Sequence, residues 1–121
     1  MSVPDLQRIL DDLVRNAPES RGAMVLDADG AALVQATSGL PLPAEAISVR
    51  CQVLLQETLG VAERLDQGPV ADVLLEADRG TLAMLPLRNG CCLCLVLQSG
   101  APTGRGLFAA RRAAACLNDL L

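Results

Sequence analysis

Apolar residues return at helical spacing through the first segment, at Val3, Leu6, Ile9, Leu10, Leu13 and Ala17. Ser2, Pro4 and Asp5 supply a start signal, since a hydroxyl can cap, Pro suits the first helical position and a carboxylate sits three residues on. "NAPES" ends the run, because the residue before Pro18 resists the α region. "GAMVLDADGAALVQAT" changes period to short apolar strands flanking Asp27, Ala28, Asp29 and Gly30, which predicts a hairpin. "SGLPLP" breaks the chain, and Ala44 to Asp66 then has helical composition until "DQGP" stops it. "VADVLLEA", "TLAMLPL" and "CCLCLVLQ" follow, joined by "DRG" and "RNG", short connections of the kind that hairpins prefer. A last helix is expected over Leu107 to Leu121. The predicted order is αββαβββα in a single domain spanning residues 1–121, with no internal repeat or low-complexity segment.

The central helix carries more apolar surface than a sheet can cover. At about 100° per residue, Ile47, Cys51, Leu54, Leu55, Thr58, Val61, Ala62 and Leu65 form one broad stripe, which is expected to face the sheet. A narrower stripe of Ala46, Val49, Val53 and Gly60 lies on the opposite side. One flank between them holds Glu45, Gln52, Gln56 and Glu63, and the other holds Arg50, Glu57 and Arg64. A helix that only covers a sheet is polar outside, so the second stripe points to another helix packed on it. A two-fold homodimer is the economical partner, and scattered surface alanine and valine is the alternative. Arg50, Glu57 and Arg64 can pair across such a seam or remain solvated.

Three cysteines crowd "RNGCCLCLVLQ". Strand alternation puts Cys92 and Cys94 on one face with Val96, and Cys91 on the other with Leu93, Leu95 and Leu97. Both faces are apolar, so this strand is expected to run centrally with helices on each side. CCxC is not a CxxC knuckle, and alternation separates one thiol from the other two, so core packing is expected rather than a metal or redox site. Cys51 and Cys116, at apolar helix positions, receive the same reading.

Composition narrows the chemistry further. The chain has no histidine, and its ten positive charges are all arginine. That removes the imidazole base, the HExxH zinc site, the Ser-His-Asp triad, the Walker lysine and the Schiff base. No catalytic, cofactor-binding or metal-ligating residue is therefore expected. Asp27, Asp29 and Asp78 are the acids near turns, and turn chemistry accounts for each. A net charge of −4 with a single aromatic residue, Phe108, argues against a nucleic-acid surface. The longest apolar run, Cys91 to Leu97, is far below the roughly 20 residues of a membrane span, and the acidic first segment does not read as a signal peptide. An odd cysteine count of five fits a reducing compartment, and the cytoplasm is expected.

With that element order, "VLDADG" in the first hairpin, "PLRNGCCLCLVL" in the last and "GRGLFAARRAAACLNDLL" at the end, the whole chain resembles the roadblock (dynein light chain 7) family, in its bacterial MglB-like form. The turn glycines Gly30, Gly68, Gly80 and Gly90, Pro86, and the Gly104-to-Leu107 entry to the last helix carry the likeness. The resemblance implies an α+β, profilin/roadblock-like fold: a five-stranded antiparallel sheet in the order 2-1-5-4-3 between one long helix and two terminal helices. It implies a homodimer joined through the long helix and the edge strand 70–77, with Ala46, Val49, Val53 and Gly60 at the seam. Glu45, Gln52, Gln56 and Glu63 would then be the partner-binding surface.

The function so implied is that of a non-enzymatic regulator or binding module for a Ras-like small GTPase, in some relatives GTPase-activating. The alternative is a nucleotide-independent scaffold or adaptor within a larger assembly. A small enzyme would have to work with carboxylates or thiols alone, and no residue pattern names a ligand for a small-molecule sensor. Arg21, Arg79, Arg88 and Arg105 sit in or beside predicted turns, where an arginine finger would have to stand, although turn arginines are usually plain surface charge.

Overall fold

The computed structural model describes residues 2–39 and 41–121; Leu40, in the predicted "SGLPLP" break, lies outside them. Helix α1 (Val3–Asn16) starts as its sequence demands: the Ser2 hydroxyl accepts from the Asp5 backbone N–H at 3.4 Å, and Pro4 occupies the first turn. It buries Leu6, Leu10 and Leu13, one face at helical spacing. Strands β1 (Ser20–Leu26) and β2 (Ala32–Thr37) form the expected hairpin. Its turn is closed by the Asp27 carboxylate, which accepts from the N–H groups of Asp29 and Ala31, both at 2.9 Å. Gly30 has φ +89°, and a Cβ there would come within 2.8 Å of the Val49 Cα, so glycine is required both by the turn and by its approach to the long helix.

That helix, α2 (Ala44–Arg64), is followed by β3 (Val73–Ala77), β4 (Gly80–Pro86), a single 3₁₀ turn at Arg88–Gly90, β5 (Cys92–Gln98) and α3 (Thr103–Asn118). The five strands are antiparallel in the order β2-β1-β5-β4-β3. β5 is central, paired to β1 and β4, and β3 is an edge. The sheet separates two cores. On one side Leu93, Leu95 and Leu97 meet α1 and α3; on the other, Cys92 and Cys94 meet Cys51 and Leu55 of α2. The alternation read from β5 is thus the division between the two layers.

Two helices depart from the sequence reading. α3 begins at Thr103, a full turn before Leu107, so Gly104 and Gly106 lie inside it. A Cβ on Gly106 would come 2.8 Å from Leu97 Cδ2, so the missing side chain lets α3 sit close on β5. The second departure is the rotation of α2. Leu54, Val61 and Leu65, expected against the sheet, are exposed, while Ser48 and Gln52 are buried. No helix among the described residues is long and apolar enough to cross a membrane.

Candidate functional site

The rotation of α2 follows from one amide. Gln52 is 4% exposed, and its Nε2 donates to the Asp27 carbonyl at 2.7 Å and the Gly90 carbonyl at 2.9 Å. Gln56 donates in turn to Gln52 Oε1 at 3.3 Å. A single side chain therefore ties α2 to the β1–β2 turn and to the turn before β5. The sequence reading puts Gln52 on a partner-binding surface; in the structure it is an internal clamp instead, because two turn carbonyls satisfy its amide inside the fold. Glu45, Gln56 and Glu63, its companions in that expectation, are exposed.

With Gln52 and Ser48 turned in, the outside of α2 is strongly apolar. Val49 and Val53 are each 55% exposed, Ala46 is exposed, and around Gly60 there is open space. A second strip of Leu54 and Val61 continues into Leu65, just past the end of the helix. By helical geometry Arg50, Glu57 and Arg64 run between the two strips, and none of the three makes an ion pair among the described residues. The edge strand extends this surface. Leu75 pairs with Leu82, which packs in the α2-side core, so Leu75 lies on the α2 face of β3, 45% exposed; its neighbour Leu74 points to the other face. Of the nine large apolar side chains exposed among the described residues, seven belong to α2, its cap and β3.

The four turn arginines do not converge. Arg21 lies in β1, Arg79 in the β3–β4 turn and Arg105 in the first turn of α3, all toward the end of the sheet where β5 finishes, whereas Arg88 stands at the opposite end. Arg105 is also paired to Glu19 at 3.4 Å.

Beneath α2, Cys92 and Cys94 approach to 3.8 Å between sulfurs. The Cys94 thiol is pushed up because its hydrogen is shared with Cys51 and Cys92 and because it is buried. Cys51, receiving that hydrogen bond, is lowered to about 7 against the opposing effect of burial. Cys91, on the other face, is raised by burial and by the charges of Asp27 and Cys92. Access rather than acidity governs these groups, since all four are buried; Cys116, read from the sequence as core, is instead exposed on α3. A thiol reagent is expected to leave Cys51, Cys91, Cys92 and Cys94 unmodified in the native protein and to modify all five in denaturant. Fast native modification at Cys92 and Cys94, mapped by mass spectrometry, would contradict the core assignment.

Comparison with known proteins places this geometry. The family model described as Roadblock/LC7 domain matches residues 6–97. No curated protein sequence matches the chain. Among solved structures, MglB of Myxococcus xanthus is similar at 13% identity with a TM-score of 0.88, covering 98% of this chain and 89% of that one. The gliding protein MglB of Thermus thermophilus is similar at 19% identity and TM-score 0.87, covering 97% and 88%. An MglB described with a tetrameric arrangement is similar at 20% identity and TM-score 0.87, covering 98% and 90%.

Proposed function

This chain belongs to the Roadblock/LC7 domain family, and from that premise we propose that it acts as a homodimeric, non-enzymatic binding module for a Ras-like small GTPase. The observation that carries the proposal is the exposed apolar face of α2 and β3. Val49 and Val53 form one exposed apolar strip, Val61 and Leu65 a second, and Leu75 faces the same side from β3, where a helix that only covered a sheet would be polar. Pairing two copies about a two-fold axis sets Ala46, Val49, Val53 and Gly60 against their symmetry mates. It also places the free backbone edge of β3 beside its twin, removing the aggregation hazard of an unpaired strand. The tetrameric arrangement described for one MglB supports self-association of this fold.

After pairing, the exposed Glu45, Gln56 and Glu63 of two helices flank the seam and form one continuous polar surface. A GTPase docked there is shifted between conformations only as far as its two nucleotide states bind with different affinity. Any acceleration of hydrolysis then comes from ordering the GTPase's own loops, since the four turn arginines lie at opposite ends of the sheet and do not converge on one point. The test is calorimetric titration of the protein against Ras-like GTPases of the same cell, loaded with GDP or with a non-hydrolysable GTP analogue. Tighter binding of the GTP form by tenfold or more is expected. Equal affinity leaves only a scaffold, and no binding to either form removes the GTPase reading.

A further inference from the structure

Between the end of α2 and the start of β3 the chain passes from one face of the sheet to its edge, and little holds it there. Leu65, Asp66 and Gln67 give their N–H groups to carbonyls in the last turn of α2. From Gly68 to Ala71 no hydrogen bond is made among the described residues. The next firm contact is the Asp72 carboxylate, whose Oδ2 accepts from Arg111 of α3, through Nη2 at 2.6 Å and Nε at 3.2 Å. Strand alternation puts Asp72 with Leu74 on the face away from α2, toward α3, while Val73 packs into the α2-side core.

This contact differs from the other ion pairs. Of the four among the described residues, two join positions three apart within α1, and a third joins Arg105 to Glu19 at 3.4 Å. Asp72 is the least exposed acid of the four, with 14% of its side chain in solvent. Its partner brings two N–H groups in a rigid fork, which a lysine ammonium does not offer.

We propose that Arg111 and Asp72 form a latch by which α3 holds β3 in place from the far side of the sheet, which makes them positioning residues for the pairing edge. β3 needs such a device. Its turn to β4 fixes one end, where Ala77 pairs with Gly80, but Leu74, Leu75, Glu76 and Ala77 are all exposed and add little burial. A five-residue edge strand with only Val73 packed in a core depends on its ladder and on whatever anchors its start. Asp72 is that anchor. With the latch closed, β3 lies on β4 with Leu75 toward the α2 face and its outer backbone edge free; with it open, the first residues of β3 leave β4 together with 68–71. That the outer edge pairs with a second copy rests on the proposed function above; that Arg111 holds β3 does not.

The experiment is amide hydrogen exchange, resolved by residue, in wild type, Val53→Arg, Arg111→Ala, Arg111→Lys and the exchanged pair Arg111→Asp with Asp72→Arg. Amides of β3 bonded to β4 report the latch, and amides on its outer edge report pairing with another copy. In Arg111→Ala the inner set is expected to exchange about fivefold faster, the upper end for a partly exposed ion pair. The β5 amides and the circular dichroism should stay as in wild type, because the Arg111 side chain is 57% exposed. Arg111→Lys, which keeps the charge but not the fork, should fall between, and the exchanged pair should recover most of the protection. If only the stem of Arg111 mattered, Arg111→Lys would match wild type and the exchanged pair would match Arg111→Ala. That pattern, or unchanged β3 exchange in Arg111→Ala, overturns the latch. Outer-edge amides protected in wild type and released in Val53→Arg add the latch to the seam. If those amides exchange freely in both while the inner set answers to Arg111, the latch stands and the β3 pairing of the proposed dimer fails.

Discussion

Val53→Arg is expected to halve the mass of the particle at micromolar concentration while leaving its circular dichroism unchanged. Val53 is 55% exposed in the isolated chain, so arginine there costs the folded protomer almost nothing. Across a two-fold seam the same change places two guanidinium groups near each other in an apolar setting, each without a counter-charge. Burying unpaired charge in that way costs several kcal/mol. Each 1.4 kcal/mol is about tenfold in the dissociation constant, so the seam weakens by at least a hundredfold. Arg50 and Arg64 add to the repulsion, and Glu57 is the one acid of their row that could answer it. A control substitution, Glu63→Arg, changes charge on the flank and should leave the mass as it is. Were Val53→Arg to sediment like the wild type, the seam would have to be moved to another face of the molecule.

The order of elements was legible because local chemistry specifies it. Ser2 and Pro4 start α1, Asp27 and Gly30 close the first turn, and the alternation of Cys91 against Cys92 and Cys94 identifies a strand buried on both sides. Each of these signals is complete within a few residues. The start of α3 was less visible, because "TGRG" carries no apolar periodicity; its glycine at 106 is placed by Leu97, nine residues earlier on another element.

The rotation of α2 was hidden for a related reason. A helical wheel assigns an amide to the surface and a leucine to the core, so it sent Gln52 out and Leu54, Val61 and Leu65 in. The partners that reverse this, the Asp27 and Gly90 carbonyls, lie 25 and 38 residues away and exist only once both turns have formed. The apolar residues displaced outward are the same ones that make the second exposed strip. Half of the candidate surface was therefore unreadable from the helix alone. Two helical faces of similar hydrophobicity leave the wheel undetermined, and a single hydrogen-bonded polar residue then decides which face goes in.

Gln52→Met is accordingly expected to destabilise the protein by about 1–3 kcal/mol, although methionine nearly matches glutamine in length and is the more apolar. The loss is not one of packing. Without Nε2, the Asp27 carbonyl keeps the N–H of Gly30 at 3.0 Å, but the carbonyl of Gly90 has no other protein donor among the described residues. The part-buried amide then gives up two hydrogen bonds to turn carbonyls, of which the one at Gly90 can be replaced only by water. In thermal unfolding this corresponds to a fall in Tm of roughly 10 °C for a domain of this size. Gln56→Met, at an exposed position whose side-chain hydrogen bond among the described residues goes to Gln52, should shift stability by about 0.5 kcal/mol or less. The two variants remove the same chemical group one helical turn apart, so their difference isolates the clamp. Equal unfolding temperatures for both would mean that the turns are held to α2 by Val49 against Gly30 alone, and that the amide only fills space.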